Sequence, residues 1–409
     1  MTTNHKLFKM KKLALTLLIL FISCQSNNKN EFENKVISEI KKTDIPAVVM
    51  GKIHKSGQMD FYSFGPSRYD RNDTIGKKNI FRIASMTKAI ASVAALQLVE
   101  RGEITLDEPL DKLLPEMSSI PILNDSNEIV KPKKSITLRH LLTHTAGFGY
   151  DFTSPKLNKW NKIKNGINWQ FNDKPRVFEA GSSFLYGTNI DWVGVLIEKI
   201  SGINLEDYLR KYITGPLQMN STWFNVPDEL FEKTVTYYKR DKDKGKLIPQ
   251  ETYVRKKVTM FNAGGGLSSS PEDYGKFLLC MINKGALNGI RILKEETFDL
   301  LNSPQLTEFK QIHRSFPNRT NNEPRGDKDT FYDNHDNWTL AWGYDENSIV
   351  RPAGTAYWAG IRNTFFTIDF KNDFALVYMT QVNPFNDMNA YNLFTSFERL
   401  IYEDINNVN

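Results

Sequence analysis

The run Phe81-Arg82-Ile83-Ala84-Ser85-Met86-Thr87-Lys88 places a hydroxyl and an amine three residues apart. A serine hydroxyl is a weak nucleophile until a base takes its proton. Lysine can act as that base only when its pKa is lowered. On a helix, positions i and i+3 lie on one face, separated by about one turn (~5.4 Å of rise). The start of a helix disfavours an ammonium, and burial works in the same direction, so the sequence predicts a depressed Lys88 pKa. Spacing alone favours a plainer reading, an N-capping serine with a lysine nearby. Ser26-Lys29 and Ser38-Lys41 have the same spacing. They fall in a polar tether and on a solvated helix, whereas Ser85 opens an apolar helix directly after a loop.

Two further segments can complete such a site. Phe184-Leu185-Tyr186-Gly187-Thr188-Asn189-Ile190-Asp191-Trp192 puts a phenol on a loop before a second helix, where Tyr186 can share or relay the serine proton. Tyr357-Trp358-Ala359-Gly360-Ile361 reads as a strand in which Gly360 lets a substrate backbone lie close. The amides of Ile361 and Ser85 can then form an oxyanion hole. Taken singly, Tyr186 is as well explained by packing, and a Trp-Ala-Gly strand is ordinary.

These residues need elements to hold them. Ala84 to Glu100 is apolar on nearly every face, which marks a central buried helix, and Gly102 closes it. A first helix carries Phe32, Val36, Ile37 and Ile40 at helical spacing. Pro46–Ile53 and Met59–Phe64 read as strands joined at Lys55-Ser56-Gly57-Gln58. The chain from there to about Leu300 is mainly helical, with the second helix running Val193 to Ile200 and closing at Gly202. Strand periodicity returns in Ala356–Ile361, Thr364–Phe370 and Phe374–Gln381, before a last helix from Asp387 to Asp404. Strands at both ends must meet in one sheet, with a helical region inserted between them. Residues 150–176, with Trp160, Trp169 and Phe171, read as a lid or pocket wall. Residues 302–338 form a polar insertion.

The chain has 409 residues, 40% of them apolar, enough for a full core. Lys6, Lys9, Lys11 and Lys12 precede an apolar run, Leu13 to Ile22, that ends at Ser23-Cys24. This is the build of a secretory leader, too short to span a bilayer comfortably. It resembles a bacterial lipoprotein signal with Cys24 as the lipidated residue, although Phe21 stands where that pattern prefers Leu. Ordinary cleavage and an uncleaved anchor are the alternatives. The expected organisation is a leader over 1–23, a tether and first helix over 24–43, and one catalytic domain over 44–404. Net charge is +6, and setting aside the four leader lysines leaves +2. No basic run interleaves with aromatics, so no nucleic-acid partner is expected. Cys280 is the one other cysteine, which excludes a disulfide framework and a cysteine metal cluster. No His/Asp/Glu set has metal-ligand spacing on one helix face, so neither a metal nor another cofactor is expected.

In order and separation, the three segments resemble the serine β-lactamase and penicillin-binding-protein superfamily, and within it the class C β-lactamase-related hydrolases that include family VIII carboxylesterases and related acyltransferases. Gly102-Glu103-Ile104-Thr105-Leu106-Asp107, Thr137-Leu138-Arg139-His140-Leu141-Leu142-Thr143-His144-Thr145-Ala146-Gly147 and Gly264-Gly265-Gly266-Leu267-Ser268-Ser269 support the resemblance, which covers roughly 44–404. It implies an α/β (α+β) fold: an antiparallel sheet flanked by helices, with an inserted all-helical subdomain. It also implies Ser85 as acylated nucleophile, Lys88 as base and Tyr186 as proton relay. The oxyanion hole would come from Ser85 and Ile361, and the substrate pocket from Trp358, Ala359, Gly360, Thr188 and Asn189.

Two departures matter. Class C β-lactamases carry Tyr-x-Asn, and here Thr188 takes the third position with Asn189 one late. They also carry Lys-Thr-Gly where this chain has Trp358-Ala359-Gly360. An indole in place of a cation removes a charge-assisted contact to a β-lactam carboxylate. The expectation is therefore a carboxylesterase on small acyl esters. A β-lactamase or D-amino-acid peptidase is the first rival, and a covalent sensor that does not turn over is the second. His144 is read as structural. Arg362 is read either as a surface residue or as a contact for an anionic substrate.

Overall fold

The structure, a computed structural model, describes residues 31–163, 174–241, 245–250, 257–306, 337–346 and 348–408. The leader with Cys24, Trp169, Phe171 and most of the 302–338 insertion lie outside the described residues. Among the described residues, no helix is long and apolar enough to cross a membrane.

Helix α1 spans residues 31–41 and buries Val36 and Ile40. Strands β1 (Val48–His54) and β2 (Met59–Phe64) form a hairpin. Helix α2 (Thr87–Glu100) follows a single 3-10 turn at Ala84–Met86, and every residue from Thr87 to Leu98 is buried. An all-round apolar helix has no solvent face to offer, so the other layers wrap it. Helix α3 (Asn189–Ser201) ends at Gly202, whose φ of 71° is the left-handed closure a helix end favours. Helix α4 (Pro271–Ile282) starts on the Ser270 hydroxyl, which accepts from the Asp273 amide. Short strands β3 (Asn337–Trp338) and β4 (Gly343–Tyr344) lead to β5 (Ala356–Gly360), β6 (Thr364–Asp369) and β7 (Phe374–Met379), and α5 (Met388–Val408) closes the chain. Between α2 and α4 the described residues form α3 and several shorter helices joined by loops, with short strand pairs such as Ile122–Leu123 with Ile129–Val130.

Among the described residues, the main sheet has seven strands in the order β3-β4-β5-β6-β7-β1-β2, antiparallel throughout. The two ends of the chain therefore meet inside it, where β1 pairs with β7. Side chains alternate across a strand. One face of the sheet packs on α1 and α5 through Phe32 and Tyr62 (ring centroids 5.4 Å apart), Tyr62 and Phe397 (5.9 Å) and Phe365 and Phe394 (4.7 Å). The other face packs on α4, where Tyr274 meets Phe366 at 5.6 Å, and it carries the Ser85 turn.

A polar clamp fixes the chain ends. Arg240 donates to both oxygens of Asp44 at 2.6 and 2.9 Å and to the carboxylate of Asp387, which is fully buried. Asp387 in turn accepts from the amides of Asn389 and Ala390, the start of α5. Removing one partner of a buried ion pair leaves an uncompensated charge and costs about 3–5 kcal/mol. Arg240→Met is expected to lower unfolding free energy by about that amount in a urea titration. A change of under ~1 kcal/mol, the worth of an exposed pair, would show that the clamp is not structural.

Candidate active site

Ser85 lies in the 3-10 turn, half-buried, one residue after a strained position. Ala84 has φ 44°, a conformation that costs a non-glycine residue about 1–3 kcal/mol and persists only where the surroundings impose it. They do so by several bonds. The Ile83 amide donates to Leu267 O (3.1 Å), Thr87 Oγ1 donates to Ala84 O (2.6 Å) and accepts from Leu267 N (3.1 Å), and Tyr274 Oη donates to Met86 O (3.1 Å).

Lys88, one turn on, is 1% exposed. Its Nζ lies 3.2 Å from Ser85 Oγ, 3.1 Å from Tyr150 Oη and 2.5 Å from Gly264 O. An ammonium has three donors, and these three acceptors use them. Nζ also lies 4.8 Å from the Tyr186 ring centroid. Burial is the largest single influence on Lys88 and lowers its pKa as the sequence predicts. Tyr150, Tyr186 and Asp191 oppose it and prevail, so the group is held above its ordinary range. The expected depressed pKa is thus corrected for the resting site. The helix start and burial were legible, but the acceptors gathered from other segments were not.

Tyr186 is buried and bonded from the strand side: Trp358 Nε1 donates to Tyr186 Oη at 3.1 Å. Its loop is held by Thr153 Oγ1, which donates to Tyr186 O (2.8 Å) and accepts from Tyr150 N (2.9 Å). Gly187 is a glycine because a Cβ there would sit 2.2 Å from Phe148 O. His144 is fully buried and does not act on the serine. Its Nδ1 accepts from Asn189 Nδ2 (3.0 Å) and Gly187 N (3.4 Å), and its ring packs 4.7 Å from Tyr186 and 5.1 Å from Trp338. Burial, then the Lys88 charge, holds its pKa well below the usual histidine range. It is a neutral support for the Tyr186 loop.

Several expected pocket residues are placed differently. Asn189 is fully buried, and its amide donates to Phe148 O (2.9 Å) and Leu185 O (3.3 Å); it braces the loop rather than facing a substrate. Thr188 is buried at the N-cap of α3. On β5, Trp358 and Gly360 share the site face, so Ala359 points to the opposite one, where its register partner is Phe365. Gly360 makes room not for substrate but for the serine turn: a Cβ there would lie 2.3 Å from Ile83 O and 2.4 Å from Thr364 Oγ1. That contact brings the strand end, and Ile361 after it, to the Ser85 turn. The Ile361 side chain is exposed, leaving its backbone as the part that can serve the site. Arg362 lies with its guanidinium 4.2 Å from the Tyr237 ring centroid.

Four residues at the site escaped the sequence reading. Tyr150 bonds Lys88 and stacks on the half-exposed Phe152, with ring centroids 4.8 Å apart. Burial pushes its pKa up, so it remains a phenol. Trp338 crosses Trp358 edge-on at 4.4 Å and donates to Leu142 O (3.0 Å). Gly264 supplies the carbonyl under Lys88. Asp191 is buried on α3, its pKa raised to about 6 by burial against the opposing pull of Lys88. The available signal was Asp191 itself, an acid between Ile190 and Trp192 where an apolar face was needed.

Residues 32–397 match the family described as Beta-lactamase. The acyltransferase mokF of Monascus pilosus is 32% identical over 307 residues, covering 70% of this chain and 73% of its own. Monacolin J acid methylbutanoyltransferase of Aspergillus terreus is 27% identical, covering 89% and 93%. Among solved structures, simvastatin synthase (LovD) of Aspergillus terreus, in its LovD6 mutant form, superposes with a TM-score of 0.78 at 26% identity, over 91% of this chain and 94% of that one.

Trp358→Phe keeps the ring and deletes the donor to Tyr186. A lost hydrogen bond of about 1–1.5 kcal/mol corresponds to roughly a tenfold slower reaction. The variant is expected to fold normally and to react with a fluorophosphonate probe at Ser85 about tenfold more slowly. An unchanged labelling rate would mean that the indole only packs.

Proposed function

The chain belongs to the Beta-lactamase family, and on that footing we propose that it transfers small apolar acyl groups from esters through a covalent intermediate on Ser85, to an alcohol or to water. The observation that carries this reading is the contact of Lys88 Nζ with Ser85 Oγ at 3.2 Å, inside a buried cluster of phenols and indoles. In the reactive form Tyr186 has given up its own proton to solvent, and Ser85 Oγ bonds to the ester carbonyl carbon while its proton passes to Tyr186 Oη, with Lys88 kept as an ammonium beside the serine. The proton then goes to the leaving oxygen, the C–O bond to the donor alcohol breaks, and the acyl group remains on Ser85. A second hydroxyl, from an alcohol or water, repeats the sequence in reverse and restores the serine. The amides of Ser85 and Ile361 would hold the oxyanion at both stages.

Two features favour neutral esters over β-lactams. The strand has an indole at residue 358, already committed to Tyr186, where a carboxylate-binding lysine would otherwise stand. The two curated relatives are named acyltransferase and methylbutanoyltransferase, and the latter name specifies a small branched acyl group.

The test compares wild type and Ser85→Ala on p-nitrophenyl butyrate, with and without a simple alcohol, and on nitrocefin. Ester turnover is expected to fall by about 10³-fold or more in the variant, and the alcohol should divert product from acid to new ester. Nitrocefin turnover that depends on Ser85 and exceeds ester turnover would replace this reading with a β-lactamase or peptidase. A stable adduct on Ser85 without product release would point to a sensor. We further propose export and lipidation at Cys24; in a bacterial host, labelled palmitate should enter the wild type and not Cys24→Ala.

A further inference from the structure

A buried carboxylate is costly unless a countercharge faces it. Asp191 is 3% exposed, and its carboxylate has no side-chain hydrogen-bond partner, only the backbone amides of Gly264 and of Asp191 itself set against it. An acid in the first turn of a helix ordinarily complements the dipole from the surface; this one is turned inward. What it meets there is Gly264. A Cβ on that glycine would lie 2.4 Å from Asp191 Oδ2, so the carboxylate occupies the space any other residue would need. On its other side, Gly264 presents its carbonyl to Lys88 at 2.5 Å. One glycine thus separates the acid from the ammonium, and their charges interact across it. Of the ionisable groups described, Lys88 on α2 and Tyr150 on the neighbouring loop face Asp191, and Tyr150 is held neutral by burial.

We propose that Asp191 is a positioning residue: acting across Gly264, its carboxylate keeps Lys88 charged and aimed at Ser85, Tyr150 and Tyr186. The proposal rests on the reading that Ser85 is acylated. Ionised Asp191 supports the arrangement and protonated Asp191 does not. Its pKa, raised to about 6 chiefly by burial, places an acid limb near that pH. Activity should rise as pH increases through it.

The experiment measures kcat and KM for p-nitrophenyl butyrate over pH 5–9 with the full-length protein as wild type, Asp191→Asn, Asp191→Glu and Ser85→Ala. Asp191→Asn is expected to lose about 10²-fold in kcat, the low end for a group governing proton transfer. Its KM should stay within about twofold, and the limb near pH 6 should vanish. Asp191→Glu should recover part of the loss and keep a limb. Asp191→Asn with wild-type kcat, or with reduced kcat and the same limb, would overturn the proposal and leave Asp191 a packing residue. Should that variant not fold, the wild-type profile decides: a limb near pH 6 supports the role, and a flat profile down to pH 5 removes it. Ester turnover surviving in Ser85→Ala would refute the underlying reading instead, whatever Asp191→Asn does.

Discussion

The molecule is organised around a single ammonium that water does not reach. Lys88 cannot be buried for the sake of packing, because an unsolvated charge without partners costs more than any apolar contact of its side chain returns. Its three donors have to be met by three acceptors, and they come from three segments: Ser85 from the 3-10 turn that leads into its helix, Tyr150 from the loop after His-Thr-Ala-Gly, and Gly264 from the loop before α4. None of these segments holds its shape alone. The sheet presses Gly360 against Ile83, Thr153 ties Tyr150 to Tyr186, and His144 and Asn189 fill the space behind. The helical layer and the sheet are both needed to assemble one coordination shell.

What could be read from the sequence divides along a physical line. Ser85 and Lys88 were legible because three residues on a helix fix a distance by geometry alone. The sheet was legible because the strand periods at both ends had nowhere else to pair. Tyr186 and Trp358 were legible as positions, through resemblance, though not as the bonded pair they form. Side-chain direction was less accessible. Ala359 was grouped with its neighbours although alternation along β5 turns it away. Asn189 and Gly360 were given to a substrate when protein groups already take the Asn189 amide N–H bonds and the space beside Gly360. Tyr150 and Asp191 became visible only with tertiary contacts, since a tyrosine in a loop and an acid in a first helical turn each have an ordinary explanation nearby. The acidity of Lys88 followed the same line: burial was inferred with the right sign, but its opposing partners, Tyr150 to Asp191, lie 62 to 103 residues further along the chain.

The Arg240 clamp does at the edge of the molecule what Lys88 does at its centre. A guanidinium on the short strand at Tyr238–Arg240 joins Asp44, just before β1, to Asp387, at the foot of α5. The inserted region thereby grips both ends of the chain it interrupts. The planar fork of arginine suits two carboxylates at once, which a lysine could not match. β7 also pairs along its whole length with β1, Val49 to His54, so sheet and clamp together keep the β5 edge in place against the serine turn.

The left-handed backbone at Ala84 narrows which sequences can occupy this site. A methyl group tolerates that conformation at modest cost and glycine at none, whereas a β-branched residue would meet a steep barrier. Mutational drift at position 84 is thus confined to a few small residues. Lineages that share this turn should differ freely in the walls of the cleft and hardly at all in the residue preceding the serine. New specificities would then arise from the walls, with the local backbone geometry inherited unchanged.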